Sequence, residues 1–211
     1  MRSAAVLGCC VVVAAGCGGG PKSATNVVTT KTPSGLVVHR VQGQQFLISL
    51  PRNWRAIDAR AALKDPAIEK IAAENPSFAQ NLRALRNPSS PLKLVAVRGE
   101  DVTVAVSVFP APGVRIGQVR AFLTQKLRST QAVENDSIAV RQIQVTAGRA
   151  LEAIYDANVT VGGDQELRRA VLFLIPARGK LFEVAFGLLS STWPEWRAVI
   201  NASGRSFDLT S

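Results

Sequence analysis

The chain has 211 residues, 47% of them apolar, with 25 Lys and Arg against 15 Asp and Glu and a formal charge of +10. It has one histidine and three cysteines, and Cys9, Cys10 and Cys17 all lie in the first 17 residues. A domain built from the residues after Cys17 has no thiol. That excludes disulfides, thiol nucleophiles and cysteine metal ligands, and with a single histidine the usual zinc ligand sets go too.

Residues 1–20 have the layout of an export signal. Arg2 is followed by the apolar run 4–13 and then by small residues, Ala14-Ala15-Gly16, ahead of Cys17. The stretch 4–16 is too short for the roughly 20 residues of a membrane-spanning helix. Ala15-Gly16-Cys17 resembles the lipobox of bacterial lipoproteins, with Ala14 where leucine is commonest. The resemblance implies cleavage between Gly16 and Cys17, a diacylated Cys17, and a location on the outer face of the cell membrane. Removing residues 1–16 leaves 195, enough for one substantial domain.

Residues 17–35 are rich in Gly, Thr, Ser and Pro and read as a flexible tether, with an end-to-end distance of about 20–25 Å if random coil. The domain is expected over 36–211. Two short apolar stretches, 36–41 and 44–50, flank Gln42-Gly43 as a hairpin, Pro51 closes the second, and Trp54 is expected to cover a sheet edge. Over 58–87 the apolar period becomes helical, with Asn75-Pro76 restarting it, so two helices are predicted.

Strands are predicted at 92–97 and 102–109. In the second, Val102, Val104, Val106 and Val108 alternate with Thr103, Ala105 and Ser107, a pattern for cover on both faces. Ile116, Val119, Phe122, Leu123 and Leu127 mark one face of an amphipathic helix. Four strands, 138–145, 149–161, 166–175 and 181–188, with glycine-bearing turns between them, predict an antiparallel meander. The last helix, 191–203, is expected to start on a Thr192–Glu195 capping box, to bury Trp196, Val199, Ile200 and Ser203, and to stop at Gly204, with Phe207 tucking the tail down. Strand pairs, helices and a meander in this order give an α+β class with a central antiparallel sheet.

Phe46-Leu47-Ile48-Ser49-Leu50-Pro51-Arg52-Asn53-Trp54 resembles the opening of PsbP-like domains, and Trp196 to Ile200 with Ser206-Phe207 after it is similar to their close. These domains include the extrinsic photosystem II protein, LpqN-type actinobacterial lipoproteins and a nuclear-transport factor. The resemblance implies an α/β/α sandwich and a protein that binds or assembles others without catalysis. It supplies no active site and no cofactor.

Several residues invite a chemical reading. His39, near the tether, is read as a surface or edge histidine. Glu152 and Asp156, opposite Leu151, Ala153 and Tyr155, could serve as an acid–base pair; they are read instead as the wet face of a strand, paired with Arg168 or Arg169. Glu100, Asp101, Asp164 and Glu166 are turn acids. Trp193, outside the helix stripe, forms with Arg168 and Arg169 a candidate binding surface.

The basic charge suits anionic lipid, a wall polymer or an acidic protein. Its even spread fits the codon usage of a G+C-rich genome better, and the densest pair, Arg168-Arg169, falls short of a nucleic-acid-binding run. The preferred function is a non-catalytic, membrane-anchored module that binds an envelope protein. The alternatives are a carrier with an apolar cavity, and a hydrolase using Glu152 and Asp156.

Overall fold

The computed structural model describes residues 28–31, 35–41, 43–58, 83–98, 102–161 and 164–210. The leader with Gly16 and Cys17, the turn acids Glu100 and Asp101, and most of the two helices predicted over 58–87 lie outside the described residues; of those helices, 83–86 is seen, and is helical.

Among the described residues eleven strands form two sheets, and every pairing is antiparallel. The small sheet has the order β1-β2-β3-β11, from Val28–Lys31, Leu36–Arg40, Phe46–Pro51 and Asp208–Leu209. The large sheet runs β4-β5-β6-β10-β9-β8-β7, from Arg55–Asp58, Leu92–Arg98, Val102–Pro110, Lys180–Leu189, Asp164–Ala177, Gly148–Val161 and Ala139–Val145. Among the described residues two long helices pack on these sheets, α1 (Ile116–Arg128) and α2 (Trp193–Arg205). The α+β class and the meander β7–β10 are as expected.

The first hairpin does not join the central sheet. Pro51, without an N–H, ends the ladder, Trp54 N donates to the Pro51 carbonyl at 3.0 Å, and this turn carries the chain from β3 into β4 of the other sheet. Val28–Lys31, inside the stretch read as tether, is paired with β2. The tether therefore gives up these residues to the sheet.

Alternation places two cores on the two faces of the large sheet. On one face α2 and the small sheet close over Phe173, Phe182, Phe186, Val184 and Leu188. Phe207 stacks on Phe46 with ring centroids 5.5 Å apart and leans on Phe182 at 5.4 Å, so the tail does tuck down. Trp54 is inside this core, edge-on to Phe186 and Trp196, and does not cover a sheet edge. On the other face Val119, Leu123 and Leu127 of α1 pack on Leu151, Tyr155, Leu172, Leu174 and Leu181. Farther along that face, Leu85 packs with Ile57, Leu92, Val95 and Ala105.

Both ends of α2 differ from expectation. No capping box forms: Thr192 ends a 3-10 turn, Ser190–Thr192, and its hydroxyl donates to the Leu189 carbonyl at 2.9 Å. Gly204 does not stop the helix, which continues to Arg205. A Cβ on Gly204 would lie 2.2 Å from the Phe173 ring, so glycine is required here for close approach of helix and sheet.

Candidate functional site

The start of α2 lies over one row of the large sheet. Register places Arg98 of β5 beside Val102 of β6, Val102 beside Leu188 of β10, Leu188 beside Arg169 of β9, and Arg169 beside Asp156 of β8. Directly paired residues share a face. Across five strands the row therefore presents two arginines separated by two apolar side chains and closed by a carboxylate.

Trp193 and Trp196, three residues apart on α2, meet the two arginines. The Arg98 guanidinium lies 4.4 Å from the Trp196 ring centroid, and that of Arg169 lies 5.5 Å from the Trp193 ring centroid. Each stack is worth roughly 0.5–2 kcal/mol depending on solvation. Trp196 is nearly buried, while Trp193, Arg98 and Arg169 are half-buried and reach the surface.

Asp156 holds Arg169 with a fork of two bonds: Nε donates to Oδ1 at 2.8 Å and Nη2 to Oδ2 at 2.6 Å. The Ser190 hydroxyl donates to Oδ1 at 2.7 Å. Burial alone would raise the Asp156 carboxyl. The Arg169 and Ser190 hydrogen bonds and the guanidinium charge outweigh it and hold the carboxyl below its ordinary range. Arg98 has no carboxylate partner among the described residues.

Arg168 does not belong to this surface. Adjacent residues on a strand point to opposite faces, so Arg168 turns toward the α1 side, where it is 5% exposed and bonds Glu166 at 2.8 Å. The candidate surface of Trp193, Arg168 and Arg169 is thus reduced to Trp193 and Arg169, with Arg98 and Trp196 added. Arg98 gave no sequence signal, because nothing in the spacing of β5 and β9 reveals that their ends share a row.

Glu152 and Asp156 are not a wet face. Both point under α2, Glu152 fully buried and Asp156 8% exposed. Glu152 takes the Nε of Arg141 on β7, where Arg168 or Arg169 was expected; Asp156 takes Arg169 as expected. Four residues along a strand separate them by about 13 Å, beyond the 5–9.5 Å of paired glycosidase carboxylates.

His39 is not at the surface either. On β2, between Thr29 and Ile48, it is 5% exposed, and among the described residues neither ring nitrogen has a hydrogen-bond partner. Burial lowers its pKa to about 4. Glu183, unremarked in the sequence, sits mid-sheet on β10 between Ser107 and Leu174, and burial raises its carboxyl to about 7. Asp164 is an exposed residue at the start of β9.

The architecture is a PsbP-like fold. Cyanobacterial PsbP (CyanoP) from Synechocystis is similar at a TM-score of 0.50 and 14% identity, over 89% of this chain and 98% of that one. Two further likenesses have TM-scores too low to argue from. LpqN, described as involved in cell envelope biogenesis of Mycobacterium tuberculosis, gives 0.45 at 9% identity, over 79% and 83% of the two chains. The Saccharomyces cerevisiae Ran-binding protein Mog1p gives 0.49 at 10%, over 88% and 97%. No protein-family model and no curated protein sequence matches the chain.

Proposed function

We propose that this protein is a non-catalytic binding module anchored on the outer face of the cell membrane. Diacylated Cys17 holds it after cleavage behind Gly16, the residues ahead of β1 tether it, and the single domain beyond them engages another envelope protein. The observation that carries the binding assignment is the pair of arginine-stacked tryptophans at the start of α2. Trp and Arg are the side chains that most often dominate interfaces, and here Arg169 is preset by Asp156 and Ser190. The anchor is argued from residues 1–17 alone.

Two observations weigh against the alternatives. The space between the two sheets is filled by Phe46, Phe182, Phe207 and Trp54, where a carrier would need a cavity. The carboxylates that a hydrolase would use are each neutralised by an arginine.

A photo-crosslinking residue in place of exposed Glu195, in intact cells, is expected to capture one envelope protein. Capture should fall at least tenfold when Trp193→Ala and Arg169→Ala are added. Capture of lipid alone would shift the assignment to the carrier. Cys17→Ala is expected to abolish lipid labelling and processing, and mature wild-type protein without lipid would refute the anchor.

A further inference from the structure

We infer that α1 is a membrane-docking face, which lays the domain against anionic lipid headgroups. No Asp or Glu occurs between Val102 and Val133. Within that stretch Arg115, Arg120, Lys126 and Arg128 are all exposed. Arg120 Nη2 donates to the Val140 carbonyl at 3.4 Å; among the described residues none of the four is in an ion pair. The nearest acids in sequence, Glu134 and Asp136, lie beyond the helix on the next turn.

These charges do not serve the helix as a whole. Lys126 and Arg128, in the last turn, suit the negative end of its dipole. Arg115 stands at the N-cap, and the first turn has no acid, which is the unfavourable arrangement there. Helix stability therefore accounts for two of the cations and opposes a third.

Apolar exposure concentrates at the same place. Among the described residues three large apolar side chains are exposed, and two of them are Phe122 (45%) on α1 and Val114 (37%) just ahead of it. Phe122, expected on the apolar face, instead lies at its edge on a flank with Arg115 and Lys126, while Val119, Leu123 and Leu127 hold α1 to the sheet. With the apolar stripe of α1 held by the sheet, what reaches solvent is Phe122 beside cations, an aromatic and basic pairing that interfacial helices also present to headgroups. The partner is an anionic bilayer, because charge complementarity and a lone aromatic fit a surface that is negative outside and apolar just below.

Docking rests on the anchored reading only for the nearness of the membrane, and the test separates the two. The full chain, purified from membranes, carries Gln118→Cys labelled with a fluorescent dye, since a lipidated Cys17 leaves no other thiol in the processed protein. It is reconstituted with phosphatidylcholine vesicles, with or without about 30% phosphatidylglycerol. Flotation with pure phosphatidylcholine reports the anchor. If flotation fails there, the anchor reading falls, and docking is then read by flotation with the anionic vesicles alone.

Docking predicts that acrylamide quenching of the dye drops at least threefold on anionic vesicles and recovers in about 0.5 M salt. A dye at Glu195→Cys should not change. Replacing Arg115, Lys126 and Arg128 by Gln should return quenching to the phosphatidylcholine level, at about fivefold in the docking equilibrium per charge. Phe122→Ser should weaken docking without changing its salt dependence. Equal quenching on both vesicle types would overturn the inference. So would equal protection by dextran sulfate in solution, which would make α1 a site for anionic polymers.

Discussion

Glu183→Gln is expected to stabilise the protein above neutral pH and to leave it nearly unchanged in acid. Glu183 lies on the middle strand of a seven-stranded sheet, 5% exposed, on the face shared by Leu181 and Ala185. Its direct neighbours on the sheet are Ser107 and Leu174, and among the described residues no basic side chain is paired with it. Burial raises its pKa from 4.5 to about 7, so the folded state holds the proton more tightly than the unfolded state. Stability must then fall as pH rises from 4.5 to 7 and level off above. At about 1.4 kcal/mol per pKa unit, the loss is about 3 kcal/mol.

Gln keeps the size and cannot ionise. A buried amide can cost about 1–3 kcal/mol if unsatisfied, but that cost is independent of pH. The decisive quantity is therefore the change in the variant-minus-wild-type difference between about pH 4.5 and pH 8, expected to be about 3 kcal/mol in favour of Gln. Urea unfolding monitored by the fluorescence of Trp54, Trp193 and Trp196 measures it. Parallel stability profiles for the two proteins would refute the reasoning.

His39 should give the opposite slope. Its pKa falls from 6.5 to about 4, so the unfolded state takes up the proton first, and stability is lost as pH drops through that window, by about 3 kcal/mol. In a Glu183→Gln background, His39→Leu should flatten the acid limb of the urea profile apart from what Asp156 contributes. Gly204→Ala should destabilise by about 1–3 kcal/mol despite a helix-propensity gain of about 1, because the new methyl meets the Phe173 ring; Phe173→Leu in the same chain should recover part of the loss of Tm. Asp156→Asn should cost about 2 kcal/mol in urea unfolding at neutral pH and shift the emission of Trp193 as Arg169 loses its fork.

The sequence by itself determined most elements and the class they form. Period and turn chemistry are local, so alternating valines mark β6, Arg178 and Gly179 with positive φ make the β9–β10 turn, and the 3.6-residue stripe marks α1. The short strands β1, β4 and β11 were not legible, because two to four residues hold too little period to register.

What only tertiary structure decided is which local features meet. Glu183, Glu152 and Asp156 alternate as solvent-facing positions would, yet packing on both faces of the sheet buries them. Arg168 and Arg169 are neighbours in the chain, but the pleat sends one to each face. Gly204 has the look of a helix stop until Phe173 is placed beneath it. The row from Arg98 to Asp156 depends on the register of five strands drawn from two distant parts of the chain. Long-range register is set by the packing of whole faces, which no local pattern contains.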